Sequence, residues 1–174
     1  MRPRRDRPDG RALSEMAVLL YRVDERLIHG QVVVGWGHAL RFDTVLVVDD
    51  ELAESAWEQD LYRLAAGERH VHFSSVAGCA ASLAPLQTDD SRTIVLTRGL
   101  AAMRALGAQG LLKGAEVNLG GQHHADGRRE VLSYLHLSTE DLDDVQILLA
   151  AGIDVSARDL PDSTRVPGAQ LVGT

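Results

Sequence analysis

The chain has 174 residues, of which 45% are hydrophobic and 25% charged, a balance that fits one globular domain and excludes a disordered or fibrous chain. Its net charge of −7 argues against a general affinity for nucleic acid, because phosphate backbones attract basic surfaces. A single cysteine excludes an intrachain disulfide framework, and no apolar run approaches the length of a membrane helix. We therefore expect a cytoplasmic protein with no nucleic-acid partner.

The first 15 residues, MRPRRDRPDGRALSE, differ from the rest of the chain in charge and pattern. Five Arg against three acidic residues give this segment a local charge of +2, which leaves −9 for residues 16–174. It lacks apolar periodicity and the apolar region of a signal peptide. We interpret 1–15 as a disordered Arg-rich extension, and translation from Met16 is an alternative. The domain is placed at 16–165 and a C-terminal tail at 166–174.

From Met16 onward short β-branched runs alternate with longer amphipathic runs, which predicts a parallel sheet with helical crossovers. In chain order, strands are predicted near 17–23, 44–49, 70–74, 92–97, 116–119, 131–137 and 153–158. Helices are predicted at 30–41, 51–66, 76–85, 99–109 and 139–151. The last helix has Ser138 and Thr139 as candidate N-caps and Gly152 at its end.

The predicted fold class is α/β, with a single open, mainly parallel β-sheet of about seven strands and helices on both faces. No internal repeat or linker divides the domain. In such a sheet ligands bind at the carboxyl ends of the strands. We therefore look for chemistry in the segments that follow each strand.

The segment after the first predicted strand, VDERLIHGQV at residues 23–32, carries the strongest functional signal. The strand ends in two carboxylates and an Arg, and a His-Gly pair then opens a helix. The backbone N–H groups of Gly30, Gln31 and Val32 are expected to face His29, where the positive end of the helix favours an anion. Gly30 would let a phosphate approach the backbone without a Cβ in the way. A loop whose histidine only caps a helix would have the same composition.

Three kinds of side chain in this loop fit a histidine that is itself phosphorylated. Arg26 offers a fork of donors suited to phosphate oxygens. Asp24 or its neighbour Glu25 could hold the His29 ring in one tautomer and support its protonated form. We therefore take His29 as the candidate phosphoacceptor, with Arg26 and one of the two carboxylates, Asp24 or Glu25, beside it.

The string RVDERLIHGQVVVGW resembles the phosphorylation-site loop of the B component (EIIB) of the mannose/fructose/sorbose-type bacterial phosphotransferase system (PTS). Within it, Arg-Leu-Ile-His-Gly-Gln-Val surrounds the phosphohistidine of that family. Further similarity lies in VLVVDDELA, VNLGGQHH and STEDLDDVQILLAAGIDVSARDLP, so the resemblance covers residues 16–160. It excludes the first 15 residues and is weak after about residue 165. The mainly parallel α/β sheet of that family agrees with the predicted elements.

The resemblance implies two successive phosphoryl transfers through His29. A phosphohistidine of the A component (EIIA) donates to His29, which then donates to a sugar hydroxyl presented by the membrane components EIIC and EIID. Arg26 and the backbone at Gly30 and Gln31 would neutralise phosphate oxygens, while Asp24 would orient the ring. The scheme requires no metal and no cofactor. It implies a phosphohistidine–sugar phosphotransferase that is cytoplasmic and peripherally associated with the membrane components.

Five further residues at or near predicted strand ends are expected to line the cleft beside His29: Asp50, Thr97, Arg98, Gly120 and Gly121. A helix-capping role for Asp50 and a backbone role for the two glycines are alternatives. His123 and His124 are expected on a loop that rims the phosphate site.

Three other functions are weighed against transport. A regulatory EIIB-like protein would be phosphorylated on His29 and signal to a partner without transporting sugar. A receiver domain is suggested by VLVVDDE, but HVHFSS offers no phosphoacceptor Asp and the only Lys, Lys113, lies in a Gly-flanked turn. A nucleotide-binding domain lacks a P-loop or dinucleotide motif. The sugar, the reacting nitrogen of His29 and a homo-oligomeric state are left open.

Overall fold

A computed structural model describes residues 18–173 of the chain, so the prediction made for residues 1–15 lies outside the described residues. Numbered in chain order, the strands are β1 Val18–Val23, β2 Thr44–Val48, β3 His70–Ser74, β4 Thr93–Thr97, β5 Glu116–Leu119, β6 Arg129–Leu132, β7 Leu135–Leu137, β8 Asp154–Ala157 and β9 Val166–Pro167. The helices are α1 Gly37–Leu40, α2 Asp50–Glu54, α3 Ala56–Ala66, α4 Cys79–Thr88, α5 Leu100–Ala108, α6 Thr139–Ala150 and α7 Gly168–Val172. A π-helical segment, Gln31–Trp36, leads directly into α1.

Within the described residues, seven strands form one sheet in the order β3-β2-β4-β1-β5-β8-β9. Its neighbouring pairs are parallel except for β8 with β9. The central strand β1 has β4 on one side and β5 on the other, so the chain leaves it first in one direction and later in the other. Ligands bind at such a change of direction, beyond the carboxyl ends of the strands. The predicted α/β fold class is confirmed, and the loop after β1 lies at this point.

Helices cover both faces of the sheet, which explains why its inner strands are apolar throughout. All five residues of β2 and all five of β4 are buried. The π-helical segment, α2 and α3 pack on one face through residues such as Trp36 and Leu52. The other face packs against α4 to α7 through residues such as Leu83, Met103 and Leu148. Strands buried on both sides read as continuous hydrophobic runs.

The prediction of one continuous strand at 131–137 is wrong. The chain instead makes the antiparallel hairpin β6–β7, which forms a separate two-stranded sheet. The strands are separated by a turn at Ser133 and Tyr134. Neither is a strong turn residue such as Gly, Pro or Asn, so the apolar alternation runs through the turn without interruption.

The predicted helix at 51–66 is divided in the structure. Ser55 has φ −109° and ψ 88°, which ends α2 and precedes α3. The amide of Gln59 donates to the carbonyl oxygens of Leu52 and Ala53 at 2.7 and 3.2 Å, so two carbonyls at the end of α2 find a partner. By contrast, the predicted cap of α6 is confirmed, because Ser138 and Asp141 form a reciprocal capping box.

The fold continues through residues 166–172, which the sequence pattern assigns to a C-terminal tail. β9 pairs antiparallel with β8, and Leu171 of α7 is buried in one apolar layer. Gly168 lies so close to β8 that a Cβ there would be 2.8 Å from the carbonyl oxygen of Val155. A two-residue strand that contains a proline leaves no periodicity for sequence reasoning to detect. Within residues 18–173, no helix has the length and apolar character needed to cross a membrane.

Candidate functional site

The loop after β1 begins with a tight turn that the structure fixes from both sides. The N–H of Asp24 donates to the carbonyl of Thr97 on β4 at 3.0 Å, and the N–H of Leu27 donates to the carbonyl of Asp24 at 2.9 Å. Leu27 adopts a left-handed backbone conformation, with φ 55°, while its side chain is fully buried. This conformation is unfavourable for a branched residue and persists only where packing imposes it. Burial of Leu27 therefore fixes the path of the chain between Arg26 and His29.

Asp24 is the centre of the site, because five groups converge on its buried carboxylate. Oδ2 lies 2.9 Å from Nη2 of Arg22 and 3.1 Å from Nε2 of His29, and it accepts from the N–H of Gly121 at 3.2 Å. Oδ1 lies 3.4 Å from Nε of Arg26 and accepts from the N–H of the same residue at 3.2 Å. Two guanidinium groups, an imidazole and two backbone amides thus surround one carboxylate, which fixes its position and satisfies its oxygens.

These contacts decide the charge of Asp24. Burial raises the pKa of the carboxyl, but the hydrogen bond from His29, the charge of Arg22 and the Gly121 amide outweigh it and hold that pKa well below its usual range. Burial lowers the pKa of Arg22, while Asp24 and Asp159 act in the opposite direction. Asp24 is therefore a permanent anion beside His29 at neutral pH.

The two ring nitrogens of His29 have different surroundings. Nε2 faces Asp24 and has no other protein partner among the described residues. The N–H of Gln31 donates to Nδ1 at 3.3 Å. A nitrogen that accepts from an amide carries no proton, whereas a nitrogen beside a carboxylate keeps its proton. This arrangement favours the neutral ring with its proton on Nε2 and with the lone pair of Nδ1 accepting from the Gln31 N–H.

The first turn of the π-helical segment agrees in part with the expected anion site. The N–H of Gln31 faces the ring as expected, but the expectation for Val32 is wrong, because its N–H donates to the carbonyl of His29 at 3.0 Å. A Cβ placed at Gly30 would meet no atom within 4 Å. Residues beyond its two chain neighbours therefore leave open space at Gly30.

Arg26 lies across the mouth of the site, with its side chain 36% exposed. Its Nε lies beside Asp24, and its Nη2 donates to Oε1 of Gln31 at 2.7 Å. Nη1 has no protein partner within residues 18–173. The guanidinium group is thus anchored on two sides, and a contact of its remaining nitrogen with phosphate stays a prediction.

Gly120 and Gly121 lie against this network, and their contacts show why a larger residue does not fit. A Cβ at Gly120 would lie 2.6 Å from Oδ2 of Asp24 and closer still to the guanidinium of Arg22. A Cβ at Gly121 would lie 2.8 Å from Nη2 of Arg26. Both glycines serve the close packing of the loops, and a direct contact between either one and phosphate stays a prediction.

Thr97 and Arg98 reach the site mainly through their backbone. The hydroxyl of Thr97 donates to the carbonyl of Gly99 at 3.0 Å, and the Arg98 guanidinium is held by Asp49 at 2.9 Å. The carbonyl of Arg98 accepts from the Gln122 amide at 2.8 Å, which ties together the loops after β4 and β5. Their role as residues that line the cleft stays a prediction.

Asp50 lies at the start of α2, and its side chain is exposed. Its carboxylate accepts from the N–H of Val76 at 2.8 Å, in the loop after β3. The cap of α2 is instead its neighbour Asp49, which accepts from Leu52 N–H. A contact of Asp50 with the phosphate stays a prediction.

Glu25 does not share the task of Asp24. Its carboxylate accepts from the N–H of His123 at 2.8 Å, contacts Nδ1 of the same residue, and pairs with Arg128 at 3.2 Å. Glu25 thus fastens the loop after β5 to the loop after β1. Of the two carboxylates considered from the sequence, Asp24 is the one that contacts His29.

The family model described as "PTS system sorbose subfamily IIB component" matches residues 18–174. The chain belongs to this family. It is therefore a sugar phosphotransfer component and a transferase of the phosphotransferase system, in which IIB components work with IIA and with membrane IIC and IID partners. The resemblance carried by the RLIHGQV loop is confirmed.

Individual relatives agree with this assignment. The chain is 28% identical over 149 residues to the N-acetylgalactosamine-specific phosphotransferase enzyme IIB component 1 of Escherichia coli, which covers 83% of this chain and 91% of the relative. It is 24% identical over 144 residues to the sorbose-specific EIIB component of Klebsiella pneumoniae, which covers 82% and 87%. The solved IIB domain of the sorbose permease from the same organism has a TM-score of 0.80 at 22% identity, over 90% of this chain and 96% of the domain.

Sequence reasoning missed one residue at the centre of this IIB site. Arg22 is fully buried, pairs with Asp24, contacts Oδ1 of Asn118, and donates to the carbonyl of Arg158 at 2.9 Å. A signal was present, because Arg22 is the only charged residue in an apolar strand and lies two positions before Asp24, on the same side. Its partners on β5 and after β8 could not be read from that spacing.

Proposed function

We propose that this chain is the phosphocarrier of a sugar phosphotransferase system and that His29 carries the phosphoryl group. His29 accepts it from a phosphohistidine of the IIA component and passes it to a sugar bound by the membrane IIC and IID components, beside which the chain works in the cytoplasm. The observation that carries the proposal is the placement of the ring, with Nε2 on Asp24 and Nδ1 on the Gln31 amide.

In the first step Nδ1 of His29 attacks phosphorus while the bond from phosphorus to the donor histidine breaks. Nε2 keeps its proton because Asp24 lies 3.1 Å away as a permanent anion. The phosphorylated ring is therefore a cation, balanced by Asp24. In the second step a sugar hydroxyl attacks phosphorus, its proton passes to a phosphoryl oxygen, and the bond from phosphorus to Nδ1 breaks. The ring then leaves as neutral imidazole, a far better leaving group than an imidazole anion.

The charge on the transferring phosphoryl group is spread over three oxygens, so catalysis depends on positioned donors. Arg26 supplies Nη1 at the mouth of the site. The N–H of Gln31, which faces Nδ1 in the free protein, turns to an oxygen of the group once Nδ1 is occupied. Open space at Gly30 admits the group.

The test is transfer of radioactive phosphate from a phosphorylated IIA component of a mannose-type system to this chain. We expect an acid-labile, alkali-stable label that is lost in His29→Ala and kept in His38→Ala, whose histidine is exposed on α1. A label that survives His29→Ala would refute the proposal. Adding membranes that contain IIC and IID, with sugar, should then discharge the label onto the sugar, and a label that stays on the protein would refute the transport role.

A further inference from the structure

The side chain of Gln31 is fixed in one orientation by the groups at its two ends. Its Oε1 accepts from Nη2 of Arg26 at 2.7 Å, and its Nε2 donates to Oδ2 of Asp159 at 3.2 Å. A guanidinium can only donate and an ionised carboxylate can only accept. If the amide rotated by half a turn, its NH2 group would face the Arg26 guanidinium, which is also a donor, and its oxygen would face the Asp159 carboxylate, which is also an acceptor.

Asp159 occupies a rigid position in the loop that follows β8. Its backbone carbonyl accepts from Nη2 of Arg22 and from the indole N–H of Trp36, each at 3.1 Å. The neighbouring guanidinium of Arg158 lies 5.3 Å from the ring centre of Trp36. The backbone of Asp159 is thus held by contacts that do not involve its own side chain, and its removal would leave those contacts in place.

The carboxylate of Asp159 lies near the charge of Arg22, but its one hydrogen-bond partner among the described residues is the side chain of Gln31. Oδ2 meets the Gln31 amide, while Oδ1 is buried and has no hydrogen-bond partner among the described residues. A buried, unpaired carboxylate oxygen costs free energy and calls for an explanation. The Asp159 carboxylate contacts the side-chain amide of Gln31, and Gln31 in turn contacts the guanidinium of Arg26.

We propose that Asp159 is a positioning residue for phosphoryl transfer, acting through Gln31 on Arg26. The inference rests on the proposed function, in which His29 carries the phosphoryl group. With Asp24 at one end and Gln31 at the other, the Arg26 guanidinium has one orientation that presents Nη1. Without Asp159 the Gln31 amide turns freely, and Arg26 keeps only its contact of 3.4 Å with Asp24.

The test uses phosphoramidate as a small donor, which removes any effect on protein docking. The bond between phosphorus and the protonated nitrogen of phosphoramidate breaks, ammonia leaves, and a bond forms to Nδ1 of His29. We expect Asp159→Ala to slow labelling about tenfold, the effect of one lost hydrogen bond to a charged group. Asp159→Asn keeps an oxygen that accepts from Gln31 and should stay within about threefold of the native rate. Asp162→Ala, an exposed acid on the same loop, should label normally.

A double-mutant cycle separates positioning from a general structural effect. If Asp159 acts through Gln31, then Asp159→Ala adds nothing in a Gln31→Ala background. A native labelling rate for Asp159→Ala, or the same tenfold loss in both backgrounds, overturns the inference. Asp159→Ser, which is also too short to reach Gln31, replaces Asp159→Ala if that variant does not fold. Failure of the wild-type protein to label on His29 would instead refute the proposed function, and the inference with it.

Discussion

Nε2 of His29 lies 3.1 Å from Oδ2 of Asp24, and this contact favours a ring proton on Nε2. The carboxylate is buried and ionised, so the ring proton stays on Nε2. Nδ1 then faces the Gln31 amide. The reactive geometry thus follows from one buried acid placed where β1 ends.

Asp24→Asn should reduce the rate of phosphoryl transfer to His29 by about a hundredfold or more. An amide group beside Nε2 can present a donor, which would move the ring proton to Nδ1 and remove the nucleophile. The rate of labelling by a phosphorylated IIA component measures the effect. Asp60→Asn, an exposed change on α3, is the control. A native rate for Asp24→Asn would contradict the assigned tautomer.

The same carboxylate should make stability depend on pH. The pKa of folded Asp24 lies below its ordinary value near 4, so its contribution to stability is fully present above that value and is lost as the pH falls through the folded pKa. We expect Asp24→Asn to lower the free energy of unfolding by about 3 kcal/mol at pH 7, since it leaves Arg22 buried without its anion. Urea unfolding at pH 7 and pH 3 should show this difference shrink in acid. An unchanged difference would be evidence against the role given to Asp24.

Alanine at Gly120 should lower stability, whereas alanine at Gly30 should leave stability nearly unchanged and slow phosphoryl transfer. Gly120→Ala places a Cβ among Arg22 and Asp24 and should lower the free energy of unfolding by about 2 kcal/mol or more. Gly30 has helical backbone angles and open space, so Gly30→Ala should change stability by less than about 0.5 kcal/mol. It should nevertheless slow phosphoryl transfer, because its methyl group would occupy the space through which we propose that the phosphoryl group enters. Chemical denaturation and labelling rates check both, and equal destabilisation by the two variants would contradict this account.

Arg26→Lys should slow transfer at least tenfold with little loss of stability. A lysine carries the charge, but it cannot contact Asp24 and Gln31 at once and still present a fixed donor. Stability should change little because the Arg26 side chain is partly exposed. Arg63→Lys, in an exposed ion pair on α3, provides the matched control for a change of cation. Equal labelling rates for the two variants would show that Arg26 has no specific role.

The sequence predicts those elements of the fold whose pattern lies within a short stretch of the chain. β3 and β5 occur at the predicted bounds, and α6 has its predicted cap, because their patterns are short and uninterrupted. The hairpin β6–β7 and the strand β9 are not predicted. The turn at Ser133 and Tyr134 contains no Gly, Pro or Asn, and a two-residue strand is too short to show a periodic pattern.

The same distinction applies to the site. The string RLIHGQV identifies His29 and its loop because the residues that build it are neighbours in the chain. The spacing of Arg22 and Asp24 signals their pair, but the contact of Arg22 with Asp159 forms only when β1 and the segment after β8 come together across more than a hundred residues. A buried arginine on a strand signals an ion pair, but only the fold identifies its partners.

Nuclear magnetic resonance tests directly whether Nδ1 of His29 carries the phosphoryl group. The protein, labelled with ¹⁵N in its histidine rings, would be phosphorylated by a IIA component and examined for coupling between phosphorus and ring nitrogen. We predict one-bond coupling from phosphorus to Nδ1 of His29, with Nε2 still protonated. Coupling to Nε2, or to any other histidine, would contradict the account.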